Sequence, residues 1–218
     1  MLMRALVGSL MLFVSTGLWA ETFIKVATFS EGGLSGWEEK SFKGNTQYRI
    51  VEMQKGKMKE KVLRAHTEGQ ASVLFREMEV DLRRAPYLNW SWRVENVFKD
   101  NDERSKEGDD YPARIYVVVS GGLFFWKTRA INYVWSSNQS VGSEWANAYS
   151  DNAKMLALRS GERHLGQWVN ERRNVREDLQ RLFGEDVERI DVVAVMVDGD
   201  NTGQSATAYF GDIFFSGN

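Results

Sequence analysis

Apolar and polar residues alternate in short runs along most of the chain. The clearest run is YLNWSWRVENVF (87–98). Leu88, Trp90, Trp92 and Val94 point one way, and Asn89, Ser91, Arg93 and Glu95 point the other. A period of two places successive side chains on opposite faces of a pleated strand, so this reads as a strand with one dry and one wet face. Similar runs are FIKVATF (23–29), QYRIVEM (47–53), KVLRAHT (61–67), SVLFREMEV (72–80) and ARIYVVV (113–119). They continue with AINYVW (130–135), KMLALR (154–159), QWVNER (167–172), RIDVVAVMV (189–197) and TAYFGDIFF (207–215). QKGKMKE supplies the turn between the second and third of these. Many short strands separated by turn residues predict an all-β sandwich or barrel.

One segment breaks the period. NVREDLQRLFGE starts with Asn174 and has Glu177 three positions on, the spacing of a capping box. Val175, Leu179 and Leu182 share a helical face, and Gly184 suits the left-handed residue that ends a helix. This predicts one short capping helix over 174–183, closing an open end of the sandwich. KDNDERSKEGDD (99–110) is densely charged and is expected to be an exposed loop.

The first twenty residues, MLMRALVGSLMLFVSTGLWA, join a single arginine to an apolar run and a small residue. That is the pattern of a cleaved secretory leader, which points to a bacterial periplasmic or secreted protein. The run is short for a membrane span, and no later stretch approaches one. The expected organisation is a leader at 1–20 and a single β-sandwich domain at 21–218. The chain of 218 residues carries a formal net charge of −2, which gives no general attraction for nucleic acid or anionic membrane. Cysteine is absent, which removes disulfides, thiolate nucleophiles and cysteine-bound metals. An exported domain without disulfides depends on its core for stability.

Candidate chemistry is sparse. DGDNTG offers Asp198, Asp200 and Thr202 at alternate positions before Gly203, like the first half of an EF-hand loop. The twelfth position is Tyr209 rather than an acidic residue, and the incoming segment is a strand, so an EF-hand is excluded. A looser Ca²⁺ site on Asp198 and Asp200 stays open, beside the plainer reading of a polar hairpin turn. His66 and His164 sit in no metal-ligand motif, and the sequence has no nucleophile elbow, phosphate loop or zinc signature.

Polar groups on otherwise apolar strands say more. Arg114 and Tyr116 share one face of ARIYVVV. Asn132 lies among large apolar residues, Arg172 follows Trp168 and Asn170, and Asp212 interrupts the last strand. Trp135 shares a face with Tyr133 and Ile131, and alternation alone does not decide which side that face takes. Arg, Asn and Asp bind hydroxyl arrays while Trp and Tyr stack on sugar rings, so Arg114, Tyr116, Asn132, Trp135, Arg172, Asp198 and Asp212 form the candidate ligand set. Arg–Asp pairing on a solvated sheet is the plainer account of the charged members. Loop residues Trp37 and Trp145 are further aromatic candidates, or plugs for the sandwich edge.

An opening strand, then FSEGGLSGW, then paired strands leading to APYLNWSWRV is similar to the start of galactose-binding-like, carbohydrate-binding jelly rolls. YPARIYVVV, RAINYVW, DNAKMLALRSG, WVNERRNVREDLQRLFGE and IDVVAVMVDGDNTGQSATAYFGDIFF resemble a bacterial exported family catalogued only as a domain of unknown function. The resemblance implies fold and compartment and carries no catalytic residues. The expected function is non-catalytic binding of a glycan or other polyhydroxylated ligand. The alternatives are a carbohydrate-active hydrolase or lyase using carboxylates such as Asp198 and Asp212, and a scaffold for a protein partner.

Overall fold

The computed structural model describes residues 22–122 and 127–217. The leader expected at 1–20 lies outside them. Fourteen strands and one α-helix follow in the order β1 (Phe23–Ala27), β2 (Glu38–Lys43), β3 (Gln47–Lys55), β4 (Met58–Glu68), β5 (Ala71–Asp81), β6 (Tyr87–Val94) and β7 (Ala113–Val119). Then come β8 (Arg129–Ser136), β9 (Glu144–Asn147), β10 (Ser150–Ser160), β11 (Val169–Asn174), α1 (Val175–Phe183), β12 (Arg189–Met196), β13 (Ser205–Phe210) and β14 (Ile213–Ser216), all counted among the described residues. They form two seven-stranded sheets. The first runs β1-β14-β6-β13-β4-β3, with β11 also paired to β6; the second runs β2-β5-β12-β7-β8-β10-β9. The fold is an all-β sandwich of jelly-roll type. All strand pairs are antiparallel among the described residues except β8–β10, which is parallel.

The alternation read from the sequence sets which side faces in. Leu88, Trp90, Trp92 and Val94 of β6 meet Ile115, Val117, Ile131, Tyr133 and Trp135 of the second sheet in one core. Trp92 sits edge-on to both Trp90 and Trp135, with ring centroids 5.6 and 5.9 Å apart. Trp135 is fully buried and donates its indole N–H to Gly161 O at 3.1 Å, so it faces the interior and no ligand. Trp37 packs on Phe29 at 5.6 Å and Trp145 stacks near Tyr111 at 6.4 Å, so both plug the edges of the sandwich.

The helix forms where its capping residues predict. Asn174 accepts the Glu177 N–H at 3.2 Å, and Gly184 ends the helix at φ 72°. Val175 and Leu179 join the core. Asp178 is buried as well, because Tyr133 Oη, Arg173 and Arg181 all donate to it. The two strands that alternation does not reveal, β2 and β9, are the two edges of the second sheet. EEKSFK is too charged and EWAN too short to show a period, as edge strands often are.

Two expectations change. DGDNTG is not a hairpin turn: β12 lies in the second sheet and β13 in the first, so the segment crosses between sheets. Gly199 is required there, because a Cβ would lie 2.2 Å from Gln204 O. The charged interval 99–110 is also only partly exposed. Asn101, Glu103, Asp109 and Asp110 are buried. Their partners are too far along the chain for local composition to disclose. Glu103 accepts from Ser136 Oγ and from the Ser137 N–H at 2.5 Å, and Asn101 donates to Asp110 O at 3.3 Å.

Burial pushes the Glu103 carboxyl from its ordinary 4.5 up to about 7, against the lowering effect of its two serine partners. A carboxyl raised in the folded state stabilises the fold fully below its unfolded pKa and loses that contribution as pH rises through the folded value. Between about pH 5 and about pH 8, the native chain should therefore lose up to about 3 kcal/mol relative to Glu103→Gln. The glutamine keeps an acceptor for Ser137 N–H and turns a donor toward Ser136. Urea unfolding at both pH values checks this; parallel stability profiles for the two proteins would contradict it.

Candidate functional site

The outward face of the second sheet is built from the residues whose neighbours point into the core. In register across its centre, Tyr116 of β7 stands opposite Ala194 of β12 and Asn132 of β8, and Met155 of β10 stands opposite Asn132. Arg114 stands one step along, opposite Met196. A hollow of about 420 Å³ lies over this row. Phe42, Arg114, Tyr116, Asn132, Tyr149 and Asp200 line it, and Asp109 and Asp198 also reach it.

Arg114 is only 3% exposed. A guanidinium in that position is costly unless its donors are met. Asp198 meets them in a two-pronged pair, with Nε to Oδ1 at 3.1 Å and a second contact from Nη2 to Oδ2. The Asp109 carboxylate stands 4.0 Å away, and the rings of Tyr111 and Tyr116 flank the guanidinium at 4.7 and 5.5 Å. Asp198 Oδ1 also accepts the Tyr111 N–H at 3.2 Å, while Asp198 N–H bonds to Tyr111 O at 3.3 Å. The pair thus ties the end of β12 to the loop that precedes β7.

The loop adds what the strands lack. Asp110 accepts the Asn201 and Thr202 N–H groups at 3.2 and 2.6 Å, holding the DNTG segment against it. Asn147 donates to both oxygens of Asp109, at 3.0 and 2.9 Å. Asn201 donates to Tyr149 Oη at 2.7 Å, placing that ring at the rim. Asp110, Asp198 and Asp200 bring carboxylate oxygens within 4.8 Å of one another. Burial raises the pKa of both Asp109 and Asp200, and the neighbouring Asp110 charge raises Asp200 further.

Asn132 is 1% exposed, and its Oδ1 has no hydrogen-bond partner. A buried amide oxygen without a donor is costly, and the residue that carries it lines the hollow. Beside the hollow, and sharing Phe42 and Tyr116 with it, lies an apolar trough of about 350 Å³ lined by Val73, Phe75, Val118, Val192 and Ala194.

The seven ligand candidates from the sequence separate into three groups. Arg114, Tyr116, Asn132 and Asp198 meet in this hollow. Trp135 is in the core. Arg172 and Asp212 border a different hollow, of about 450 Å³, on the outward face of the first sheet. There Asp212 accepts from both the N–H and the hydroxyl of Ser30, at 2.8 and 2.5 Å. Asp198 and Asp212 therefore serve opposite sheets and cannot flank one scissile bond, which removes that carboxylate pair. Sequence reasoning missed Asp109, Asn147, Tyr149 and Asn201, whose segments carry no periodic signal.

Fold and hollow together define an all-β jelly-roll sandwich with a polar, aromatic recess on one face. The chain belongs to the family described as "Protein of unknown function (DUF3047)", which matches residues 35–214. No curated protein matches it. Among solved structures, the family 30 carbohydrate-binding module of a Clostridium thermocellum cellulosomal cellulase is 8% identical, with a TM-score of 0.48 over 89% of this chain and 96% of that one. A point mutant of a carbohydrate binding module of family 29 is 9% identical, with a TM-score of 0.41 over 91% and 94%. The enzymatically active domain of bacteriophage CBA120 tailspike protein 4 is 9% identical, with a TM-score of 0.47 over 88% of this chain but only 21% of that one. Likenesses this distant say nothing about ligand or activity.

Asp110→Ala leaves the Asn201 and Thr202 N–H groups without their acceptor. It should cost about 2 kcal/mol in urea unfolding. An unchanged midpoint would show that the crossing segment does not depend on this carboxylate.

Proposed function

We propose that the outward face of the second sheet binds a glycan or similar polyhydroxylated ligand without turning it over, in the bacterial periplasm or outside the cell. The observation that carries this reading is the buried, unpartnered Asn132 oxygen bordering a recess that also offers Asp109, Asp200 and Asn201. The oxygen is sealed in the free protein, so a ligand hydroxyl donates to it once the Asn132 amide turns toward the recess. Exposed Phe42 and Tyr149, with half-buried Tyr116, supply apolar surface for the faces of sugar rings. Arg114 contributes through position rather than reaction: its donors are committed to Asp198, so it fixes the floor of the recess.

The same geometry supports a reading of binding without catalysis. Asp198 is occupied by Arg114, and Asp110 by backbone N–H groups. Asp198 and Asp110 of the carboxylate cluster are therefore read as held by protein donors, and ligand recognition as calcium-independent.

A glycan array, run with calcium and again with EDTA, identifies the ligand class and should give the same hits in both. A hit present at about 100 times its Kd should stabilise the protein by about 2.7 kcal/mol, seen as a raised melting temperature. Asn132→Ala should weaken that hit by about tenfold to a hundredfold, while unliganded stability changes by less than about 1 kcal/mol. An array without hits, or full binding by Asn132→Ala, would sink the reading.

A further inference from the structure

The outward face of the first sheet carries a different chemistry. Arg49 of β3 stands directly opposite Arg64 of β4, Arg64 opposite Tyr209 of β13, and Tyr209 opposite Arg93 of β6. Directly opposed residues share a face, so this is a cross-strand row spanning roughly 14 Å at the usual strand spacing. Two like charges in opposed positions destabilise a sheet. Among the described residues, Arg49 and Arg64 have no ion pair or side-chain hydrogen bond to relieve them; Arg93 alone in the row is paired, to Glu95 at 2.6 Å.

On the same face, Asn89 and Ser91 lead from Arg93 to the hollow of about 450 Å³. Lys55, Lys61, Asn170 and Arg172 also line it. The Arg172 guanidinium lies flat over the Tyr87 ring at 3.7 Å, and neither Arg172 nor Lys61 has an ion pair among the described residues. Stacking holds the Arg172 donors in place without using them. Of the acids at this hollow, Glu60 pairs with Lys55 and Glu171 with Arg159, while Asp212 accepts two neutral donors of Ser30 and keeps its charge at the hollow's Ser30 side. A chain of net charge −2 thus leaves three unpaired cations, Arg49, Arg64 and Arg172, on one face, with Lys61 reaching the hollow from the strand end opposite Glu52.

We propose that this face binds an acidic polysaccharide, with carboxylate or sulfate groups bridging Arg49 and Arg64 and the chain continuing into the Arg172 hollow. The exposed Asn170 amide beside the cations, and the oxygen of Asn89, whose N–H groups are bonded within the sheet, suit an anion that also bears hydroxyls. Arg172 covers one face of Tyr87, and Phe214, which lines the hollow, is stacked on Phe23 at 4.5 Å. This site stands apart from the recess of the second sheet, and either can fail alone.

The test uses the full chain and measures binding of polygalacturonate, dextran sulfate and neutral dextran at low and at physiological salt. The two acidic polymers separate carboxylate from sulfate recognition. At least one should bind, neutral dextran should not, and affinity should fall steeply with salt. The double substitution Arg49→Gln/Arg64→Gln should weaken binding at least about tenfold while the melting temperature of the free protein stays level or rises, since it removes a like-charge contact. Arg172→Gln, at an exposed position, should weaken binding as well. A merely structural role predicts the reverse for the double variant, lost stability with binding intact, and that result would overturn the proposal. So would failure of both acidic polymers to bind, or equally tight binding of single-stranded DNA or phosphatidylglycerol vesicles.

Discussion

The placement of the recess depends on one buried ion pair. Arg114 points out of β7 under a loop that nearly excludes water, and its charge is tolerable there only because Asp198 meets it with two contacts. Asp198 is the second residue after β12, and its carboxylate and N–H both engage Tyr111. The pair therefore couples two neighbouring strands to the loop and to the segment that crosses between the sheets. Its worth lies less in net stability than in register, because misplacing any of these segments strands a charge in a dry site. The alignment of Asp109, Asn147, Tyr149 and Asn201 around the recess follows from it.

The two outward faces of the sandwich differ in kind. On the second sheet the polar groups are buried, mutually bonded and grouped at one end, with an apolar trough beside them. On the first sheet the arginines are spread across four strands, and those of β3 and β4 have no ion pair among the described residues. A pre-formed recess of fixed polar groups favours a specific small ligand or chain end. A spread of exposed charge favours a polymer held by many weak, salt-sensitive contacts. One rigid core serves both, since each outward-facing residue is placed by inward-facing neighbours that interlock around Trp92, Tyr133 and Trp135.

Much of this was legible in the sequence wherever burial is one-sided. The alternation of β6 located both its core face and the Asn89–Ser91–Arg93 face, and the cap residues Asn174 and Gly184 located α1. Edge strand β2 left no trace because all its side chains are exposed, and edge strand β9 because four residues are too few to show a period. Trp135 shares its face with Ile131 and Tyr133, but Val134 and Asn132 on the other face are buried too, so alternation could not choose between them. Arg172 and Asp212 were grouped with Arg114 on chemistry alone; the sheet each joins is decided by long-range pairing. The loop 99–110 looked solvated because its acids find Ser136, Asn201 and Arg114 only after the sandwich has closed.

The central claim is that Arg114 and Asp198 form an interdependent buried pair rather than two solvated charges. A double-mutant cycle with Arg114→Met and Asp198→Leu, read by urea unfolding, tests it most directly. Each single substitution should cost about 3–5 kcal/mol by leaving an uncompensated charge, and the double variant should cost no more than either one. Small, additive single effects would show that the pair holds nothing in place.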